Sequence, residues 1–253
     1  MSVRPKKELG QHFLVDENIL GVIGRLAELQ ADDVVLEVGP GLGVLTRYLA
    51  ARVAHVHAVE LDQSLEPQLQ GIERTTLHWQ DALALDPAAL EPPPTKLVAN
   101  LPYNIATPLV VESLDRAPTV GSWCVMVQRE VADRFFARPG TKAYGAVSVL
   151  VQLVTERTGF HAVSRQVFRP RPNVDSALVA FGRREKAVPP GVKPVVEAAF
   201  AHRRKTLANS HALSSLATRE RAAAALDAIG RDANVRAEEL APQDFVALTA
   251  ALA

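Results

Sequence analysis

Residues 32–50 read DDVVLEVGPGLGVLTRYLA: a short apolar run, three closely spaced glycines and a second apolar stretch. The run DDVVLEVG is typical of a strand that is buried on both faces of a parallel sheet. VLTRYLA, which follows the glycines, predicts a helix. Glycines between a first strand and a first helix let a ligand approach the backbone, because they carry no side chain. This stretch therefore predicts an α/β domain with a ligand site at the edge of its sheet.

The alternation of strands and helices continues beyond this stretch. AHVHAVE, TTLHWQ, KLVAN and SWCVMVQ predict further strands, and helices are expected at about residues 64–70, from about residue 107 and at REVADRFF. Such alternation predicts a parallel, doubly wound sheet. VLVQLVTERTGF and SALVAFG are two strand-like segments with no helix between them. We expect them to form an antiparallel pair that closes one edge of the sheet.

The composition of the chain changes near residue 185. GRREKAVPPGVKP is charged and then rich in proline and glycine, which is typical of a linker. The segments that follow, VVEAAFAHRRKTLANSHAL, TRERAAAALDAIG and PQDFVALTAALA, are rich in alanine and leucine and have helical spacing. The sequence thus predicts an α/β domain over residues 1–185, including an N-terminal arm at 1–30, and a small all-helical C-terminal domain over residues 186–253.

The composition also restricts the class of protein. A chain of 253 residues, 48% of them hydrophobic, can bury a sizeable core. Cys124 is its single cysteine, which excludes an internal disulfide and a cysteine-based metal cluster and suits a reducing cytoplasm. The basic N-terminus is not followed by the apolar segment of a signal peptide, and no apolar run reaches membrane-spanning length. We therefore expect a soluble, cytoplasmic protein.

The basic residues are unevenly distributed, although 28 basic and 28 acidic residues give a net charge of zero. A neutral chain argues mildly against nucleic-acid binding. Residues 165–186, however, include six basic and two acidic side chains, and RPKK at 4–7 and HRRK at 202–205 are further basic clusters. Such clusters are either solvated faces or parts of a surface that binds phosphate groups.

The glycine segment and two acidic residues indicate the class of ligand. A dinucleotide site would read G-x-G-x-x-G, whereas residues 39–43 read GPGLG and Pro40 removes a backbone donor, so a ligand less anionic than NAD is favoured. Glu60 ends the second strand, where an acidic residue commonly accepts hydrogen bonds from both ribose hydroxyls. Together these features predict a nucleoside-type cofactor. Asp81, after the third strand, could meet an adenine amine or cap a helix.

The fourth strand ends in Asn100-Leu101-Pro102-Tyr103, which is either a plain strand-to-helix turn or a functional segment. The series of glycine loop, ribose-binding acid, second acid and this tetrapeptide resembles the class I S-adenosylmethionine-dependent methyltransferases. The tetrapeptide itself resembles the motif of their amino-methylating branch. Six segments occur in the order found in ribosomal RNA adenine N6-dimethyltransferases: KKELGQHFLVDENI, NLPYNIATPL, VQREVADRF, YGAVSVLVQ, FRPRPNVDSALV and RRKTLAN. This resemblance covers nearly the whole chain and is strongest to the bacterial small-subunit (16S) enzymes.

The resemblance implies a Rossmann-like class I methyltransferase domain and assigns roles to particular residues. The Asn100 oxygen and a backbone carbonyl at Pro102 would accept the N–H bonds of the target amine, while Tyr103 and Phe168 would stack on opposite faces of the base. The implied catalytic residues are Asn100, Leu101, Pro102, Tyr103 and Phe168. The implied S-adenosylmethionine contacts are His12, Leu14, Glu37, Gly39, Gly41, Glu60, Leu61, Asp81, Ala82 and Asn100. The implied RNA contacts are Arg165, Arg169, Arg171, Arg203, Arg204 and Lys205.

One of these positions departs from the pattern of the family. His12 stands where the family often has asparagine in the GQNFL segment. A ring nitrogen can replace an amide in one hydrogen bond, so His12 is either a cofactor contact or a packing residue.

By the same resemblance, the chain is expected to dimethylate two adjacent adenines at N6 in the 3′-terminal hairpin loop of 16S rRNA during late small-subunit assembly. S-adenosylmethionine would be consumed, S-adenosylhomocysteine released, and no metal required. The expected substrate is a pre-ribosomal small subunit, and the enzyme is expected to be a monomer that binds no membrane. The alternatives are a large-subunit rRNA adenine methylase of the antibiotic-resistance type, and an RNA-binding assembly factor with secondary catalysis. A nicotinamide oxidoreductase is disfavoured by Pro40.

Overall fold

In the computed structural model, which describes residues 5–6, 10–185, 188–202 and 204–253 (apart from the side chain of Leu213), the chain forms two units. The first consists of Met1–Ala132 and Glu156–Arg183, and the second of Asp133–Thr155 and Arg184–Ala253. The second unit thus adds residues 133–155 to the predicted C-terminal helical region. The domain boundary at residue 185 stays a prediction.

A seven-stranded sheet forms the centre of the first unit, in the order β4-β3-β2-β5-β6-β9-β7. Its strands are β2 (Val34–Val38), β3 (His55–Glu60), β4 (Thr75–Trp79), β5 (Lys96–Asn100), β6 (Ser122–Gln128), β7 (Thr155–Val163) and β9 (Ser176–Arg183). From β4 to β6 all neighbouring strands are parallel, and β9 is antiparallel to β6. Two short strands, β1 (Phe13–Leu14) and β8 (Phe168–Arg169), form a separate antiparallel pair. The predicted parallel sheet is confirmed.

Helices follow β2, β3, β5 and β6, as predicted, whereas β4 and β5 are joined by a proline-rich segment with one short 3-10 turn, Pro87–Ala89. The helices are α1 (Glu17–Leu26), α2 (Val44–Ala50), α3 (Glu66–Leu69), α4 (Ala106–Arg116), α5 (Arg129–Phe135), α6 (Ala146–Val154), α7 (Val192–Phe200), α8 (Leu207–Leu213), α9 (Arg219–Ala228) and α10 (Pro242–Leu252). In the described part of the chain, no helix combines the length and the apolar character needed to span a membrane.

The prediction that VLVQLVTERTGF is one strand is wrong in its first half. The apolar residues form the end of α6, and β7 begins only at Thr155. A short, continuous apolar run does not distinguish a buried strand from a buried helix. Here the helix begins beside Gly145, whose backbone N–H donates to Ser148 Oγ over 3.1 Å. Val149 and Leu153, one turn apart, both lie in the apolar core of the second unit.

The strand register brings the polar ends of three strands to one place. All five residues of β2 are buried, as expected of a central parallel strand. Glu37 of β2 pairs with Ala58 of β3, two residues before Glu60. β2 pairs with β5 where Val35 lies opposite Lys96 and Leu36 opposite Leu97. Continued by one residue, this register aligns Glu37 with Val98, two residues before Asn100. Because side chains alternate between faces, Glu37, Glu60 and Asn100 share one face near the carboxyl ends of their strands.

The second unit is helical, as predicted for the C-terminal region. Its core is formed by apolar side chains from α6, α7, α8, α9 and α10 together with Tyr144, whose hydroxyl donates to the Leu240 carbonyl over 2.8 Å. The segment 182–194, predicted as a linker, begins inside β9 and ends inside α7. Residues 186 and 187 of that segment lie outside the described residues.

Candidate active site

A cavity of about 240 Å³ opens at the carboxyl ends of the parallel strands in the first unit. It is lined by residues 10–14, 37–42, 59–61, 80–82 and 100–105, with Val44 and Leu45. This lining includes every residue predicted to contact the cofactor and the whole Asn100–Tyr103 tetrapeptide. The topology therefore gathers segments that are far apart in the sequence, while the contacts they would make with a ligand stay predictions.

The glycine loop is held in a conformation that requires glycine. Gly39, Gly41 and Gly43 have φ angles of +74°, +57° and +74°, in the left-handed region that side chains disfavour. A Cβ atom on Gly39 would lie 3.0 Å from the Pro102 ring. A Cβ atom on Gly41 would lie 2.9 Å from the Phe13 ring. The loop thus packs tightly against the tetrapeptide on one side and the N-terminal segment on the other.

The carboxylate of Glu60 is fixed by backbone N–H groups. Gly41 donates to Oε2 over 3.2 Å, and Leu61 and Asp62 donate to Oε1 over 3.0 and 2.9 Å. Burial raises the pKa of Glu60, and these three hydrogen bonds oppose that shift. A carboxylate has about four acceptor positions, so one position remains, on Oε2. A ribose that uses both hydroxyls here would have to share an oxygen with these donors or displace one of them.

Glu37 is a second carboxyl group in the lining, and it has fewer hydrogen-bond partners than Glu60. Its side chain is buried, and Oε2 has no hydrogen-bond partner among the described residues. Burial, together with the nearby charge of Glu60, raises the pKa of Glu37 to about 8. A buried acceptor without a partner is costly, so this oxygen is suited to a ligand that brings a donor or a positive charge into the cavity.

The tetrapeptide begins at the last residue of β5 and lines the cavity. Leu101 is buried, and its backbone N–H donates to the Met126 carbonyl over 3.1 Å, which anchors the segment to β6. The Asn100 side-chain nitrogen donates to the backbone carbonyl of His12 over 3.2 Å. This bond occupies one N–H of the amide and leaves its oxygen available as an acceptor, as the predicted role of Asn100 requires.

Tyr103 is half-buried and contacts two other segments. Its hydroxyl lies 2.7 Å from Ser176 Oγ, and its ring centroid lies 5.3 Å from that of His12. His12 Nδ1 lies 2.7 Å from the Pro170 carbonyl oxygen. Because a carbonyl can only accept, Nδ1 is the donor in this bond. His12 therefore packs beside Tyr103 and leaves Nε2 for a second hydrogen bond.

Phe168, predicted to stack on the target base opposite Tyr103, is buried in this structure. The side chain is only 1% exposed, and it lies in the apolar core that also contains Leu14, Ile19 and Ile23. The reason is the pairing of β8 with β1, which places Leu14 directly beside Phe168. The stacking role of Phe168 stays a prediction.

The residues predicted to contact RNA differ in their exposure and in their hydrogen bonds within the chain. Arg165 donates from its backbone N–H and from Nε to Asp175 Oδ1, each over 3.1 Å, and from Nη1 to the Asn173 carbonyl over 2.8 Å. These bonds from Arg165 lower the pKa of Asp175 and brace the loop. The other described members are exposed: Arg169, Arg171, Arg204 and Lys205. Arg203 lies outside the described residues, and all these RNA contacts stay predictions.

Asp62 directly follows the lining residues 59–61 and supports the site in a way that the sequence patterns did not reveal. Its carboxylate accepts hydrogen bonds from Lys6 Nζ over 2.6 Å, from Gln11 Nε2 over 3.0 Å and from the Ser64 hydroxyl over 2.6 Å. Burial opposes ionisation, but these bonds lower the pKa of Asp62 to about 2. The charged carboxylate, which follows the end of β3 and Glu60, therefore attaches the N-terminal segment to the rest of the unit through hydrogen bonds. No local motif signals it, because Lys6 and Gln11 are distant in the sequence.

No group of three or more potential metal ligands occurs in the part of the chain that the structure describes.

Comparisons with known proteins give this site its context. The sequence profile of the ribosomal RNA adenine dimethylase family matches residues 3–253. A ribosomal RNA small subunit methyltransferase A of Rubrobacter xylanophilus is 49% identical over 97% of this chain and 94% of its own length. The protein of the same name from Thermobifida fusca is 46% identical over 97% of this chain and 89% of its own length.

Two solved structures are similar over almost the whole chain. The dimethyladenosine transferase from Plasmodium falciparum superposes with a TM-score of 0.77, at 23% identity, and covers 94% of this chain and 96% of that one, which shows a shared fold. The 23S rRNA methyltransferase ErmE superposes with a TM-score of 0.66, at 30% identity, over 95% of this chain and 99% of that one. The first unit accordingly has the Rossmann-like fold of class I methyltransferases. On its sequence and its fold together, the chain belongs to the ribosomal RNA adenine dimethylase family.

Proposed function

We propose that this protein uses S-adenosylmethionine to dimethylate, at N6, two adjacent adenines in the 3′-terminal hairpin loop of 16S rRNA. The observation that carries the proposal is the common face of Glu37, Glu60 and Asn100 at the cavity. Two carboxyl groups that can bind a cofactor thus lie beside a carboxamide that can accept hydrogen bonds from an amine. The names of the small-subunit relatives, which span nearly the whole chain, support the choice of RNA.

The residues around the cavity fit S-adenosylmethionine. Gly39 and Gly41 line the cavity without a side chain, Glu60 retains one acceptor position for the ribose, and the unpartnered Oε2 of Glu37 suits a cationic group. Leu61, 55% exposed, offers an apolar surface in the lining for an adenine ring, and Asp81 lies close by in the same lining. When bound, S-adenosylmethionine supplies an electrophilic methyl group.

The chain's own contribution is to orient the target amine. An exocyclic adenine amine is a weak nucleophile because its lone pair is delocalised into the ring. The Asn100 oxygen and a backbone carbonyl of the tetrapeptide can accept its two N–H bonds, which favours a pyramidal nitrogen. A neutral carboxamide does this without adding a buried charge. Positioning of this kind can contribute several kcal/mol to rate enhancement.

The target adenine has to leave its own stack to reach Asn100. Unstacking costs a few kcal/mol, and stacking on an aromatic side chain offsets about 1–3 kcal/mol of it. Tyr103, the half-buried aromatic of the tetrapeptide, supplies this surface. The exposed Arg169 and Arg171, together with Arg204 and Lys205, would bind RNA phosphates, which gives affinity without sequence specificity.

The proposal extends to the setting of the reaction. The substrate is a late pre-ribosomal small subunit, which fits a protein with no overall positive charge. The enzyme acts in the cytoplasm as a monomer, with no metal.

Transfer of a labelled methyl group tests the proposal. Purified small subunits that lack the modification are incubated with the protein and labelled S-adenosylmethionine, and their nucleosides are then analysed. We expect N6,N6-dimethyladenosine at two neighbouring positions with wild-type protein and none with Asn100→Ala. Absence of dimethyladenosine with wild-type protein would overturn the proposal.

A large-subunit substrate is the second candidate, because the 23S rRNA methyltransferase ErmE shares 30% identity and nearly the full length. Undermethylated large subunits assayed in parallel separate the two candidates. Growth of a deletion strain gives a further readout. If Asn100→Ala transfers no methyl group but restores growth, a role in assembly outweighs catalysis.

A further inference from the structure

The hydroxyl of Tyr103 has a single described partner, Ser176 Oγ, at 2.7 Å. We propose that Ser176 is a positioning residue that holds the Tyr103 ring at the place where the target base would stack. This inference rests on the proposed function of Tyr103. Neither the relatives nor the sequence motifs assign a role to Ser176.

Ser176 is itself fixed in place. It is 1% exposed and begins β9, where it pairs with Gln128 of β6. Just before it, the backbone carbonyl of Asp175 accepts a hydrogen bond from the Arg129 N–H over 3.0 Å. A hydroxyl anchored in the central sheet can restrain a side chain on a loop, whereas a hydroxyl on a mobile segment could not.

The hydrogen bond acts at the end of Tyr103 that lies farthest from its backbone. Because Oη lies on the axis of the second side-chain torsion, this bond leaves the ring able to turn about that axis but restrains the first torsion, which sets where the ring lies. The ring of His12 borders Tyr103 with its centroid 5.3 Å away and its plane tilted by 33°. Ser176 thus fixes the hydroxyl end of the ring and His12 lies beside its body.

The proposal predicts a kinetic effect of a particular kind. Loss of the bond should lower kcat for methyl transfer about three- to tenfold, the range expected for one buried hydrogen bond. The KM for the ribosomal substrate should change less than twofold, because phosphate contacts dominate RNA affinity. Affinity for S-adenosylmethionine should stay at the wild-type value, since Ser176 is not part of the cavity lining.

A double-mutant cycle tests the proposal on the full chain with undermethylated small subunits. The variants are Ser176→Ala, Tyr103→Phe and the double variant, with Ser176→Thr as the conservative replacement. We expect each single variant to lose the same fraction of kcat, the double variant to lose no more than either, and Ser176→Thr to recover most of the activity. Calorimetric titration with S-adenosylmethionine reports the fraction of folded, binding-competent protein in every variant.

Ser113→Ala is the matched control. Ser113 is also a buried serine of the first unit, and its Oγ accepts from Trp123 Nε1 over 2.9 Å, but it does not line the cavity. It should lose stability and keep wild-type kcat. Two results with an active wild-type protein would overturn the positioning role. One is a double variant whose loss of kcat is the product of the losses in Ser176→Ala and Tyr103→Phe. The other is a Ser176→Ala variant with wild-type kcat. A wild-type protein that transfers no methyl group overturns the proposed function, and this inference with it.

Discussion

Asn100 Nδ2 donates to the carbonyl oxygen of His12 over 3.2 Å, so the end of β5 is bonded directly to the N-terminal segment. This bond fixes which atom of the carboxamide is available to a substrate. The nitrogen is engaged and the oxygen is left as the acceptor. The structure therefore explains why this position suits asparagine better than aspartate, since a carboxylate has no N–H to offer the His12 carbonyl.

Replacing Asn100 should lower the rate of methyl transfer. Asn100→Ala removes the acceptor for the target amine, and we expect kcat to fall about a hundredfold or more, as for the loss of one preorganised polar contact. Asn100→Asp keeps an acceptor but places a carboxylate against the His12 carbonyl, so it should be less active than wild type and more active than Asn100→Ala. Single-turnover methyl transfer to undermethylated small subunits measures both. Equal rates for Asn100→Asp and wild type would show that the bond to His12 has no catalytic importance.

Weakening the attachment of the N-terminal segment should reduce affinity for S-adenosylmethionine. The Asp62 carboxylate is 2% exposed and holds both Lys6 and Gln11. The double variant Lys6→Met/Gln11→Leu leaves the hydrogen bonds from Ser64 intact but releases residues 10–14, which line the cavity. We expect the Kd for S-adenosylmethionine to rise about three- to tenfold, as for the loss of one or two hydrogen bonds.

Calorimetric titration measures this affinity, with Arg52→Met as the control. Arg52 is an exposed cation of the first unit that donates to the Tyr48 carbonyl over 2.9 Å and does not line the cavity. It should bind S-adenosylmethionine as wild type does. An unchanged Kd in the double variant would mean that residues 10–14 are held by the β1–β8 pairing alone.

Much of the fold could be predicted from the sequence because buried parallel strands have a simple pattern. β2 coincides with the apolar run before the glycines, and β3 and β5 end at Glu60 and Asn100, the polar residues that the motifs singled out. The exception is α6, where an apolar run of the same kind is helical. Its conformation depends on the hydrogen bond between Gly145 and Ser148 and on the helices packed around it, which no local pattern contains.

Functional residues that end a strand could be predicted from the sequence. Residues whose role depends on a partner far along the chain could not. Asp62 and Ser176 gain their importance from Lys6 and Tyr103, at separations of 56 and 73 residues. The position of Phe168 likewise follows from the pairing of β1 with β8. Short-range sequence patterns identify side-chain chemistry at strand ends, but tertiary contacts decide which side chain is buried and which is free.

The pH dependence of the free energy of unfolding should show that the folded protein keeps a proton on Glu37. Its pKa is raised from 4.5 in the reference state to about 8 in the folded chain. Between these two values the folded protein holds a proton that the unfolded chain has released, so stability falls as the pH rises through this window. Glu37→Gln, which stays neutral, should therefore exceed wild type in the free energy of unfolding at pH 8 by at least about 1 kcal/mol. This advantage should disappear near pH 4.5.

Urea denaturation at a series of pH values measures this difference. Glu60→Gln is the comparison, because the Glu60 carboxylate accepts three backbone N–H bonds that an amide would partly lose. The pKa of Glu60 is raised as well, so its neutral replacement also avoids the cost of a buried charge at pH 8, but the lost hydrogen bond offsets part of that gain, and Glu60→Gln should gain less stability than Glu37→Gln. A Glu37→Gln variant whose stability parallels wild type at every pH would show that Glu37 is ionised in the folded protein.

The contact between the glycine loop and the tetrapeptide can be tested with a pair of glycines. Gly39 and Gly71 have nearly the same φ angle, +74° and +75°. A Cβ atom on Gly39 would lie 3.0 Å from Pro102, whereas one on Gly71 would meet nothing within 4 Å. Gly71→Ala therefore measures the backbone strain alone, about 1–2 kcal/mol. Gly39→Ala adds the crowding against Pro102 and should cost a further 1–3 kcal/mol or so.

The same pair separates stability from binding. Gly39→Ala should weaken S-adenosylmethionine binding, because relieving the crowding shifts either the glycine loop or Pro102, and both line the cavity. Gly71→Ala should bind S-adenosylmethionine as wild type does, since Gly71 does not line the cavity. Thermal unfolding and calorimetric titration of the two variants give both quantities. If the two substitutions cost the same stability and leave the same affinity, the close approach of Gly39 to Pro102 has no energetic importance, and the glycine is required only for its backbone conformation.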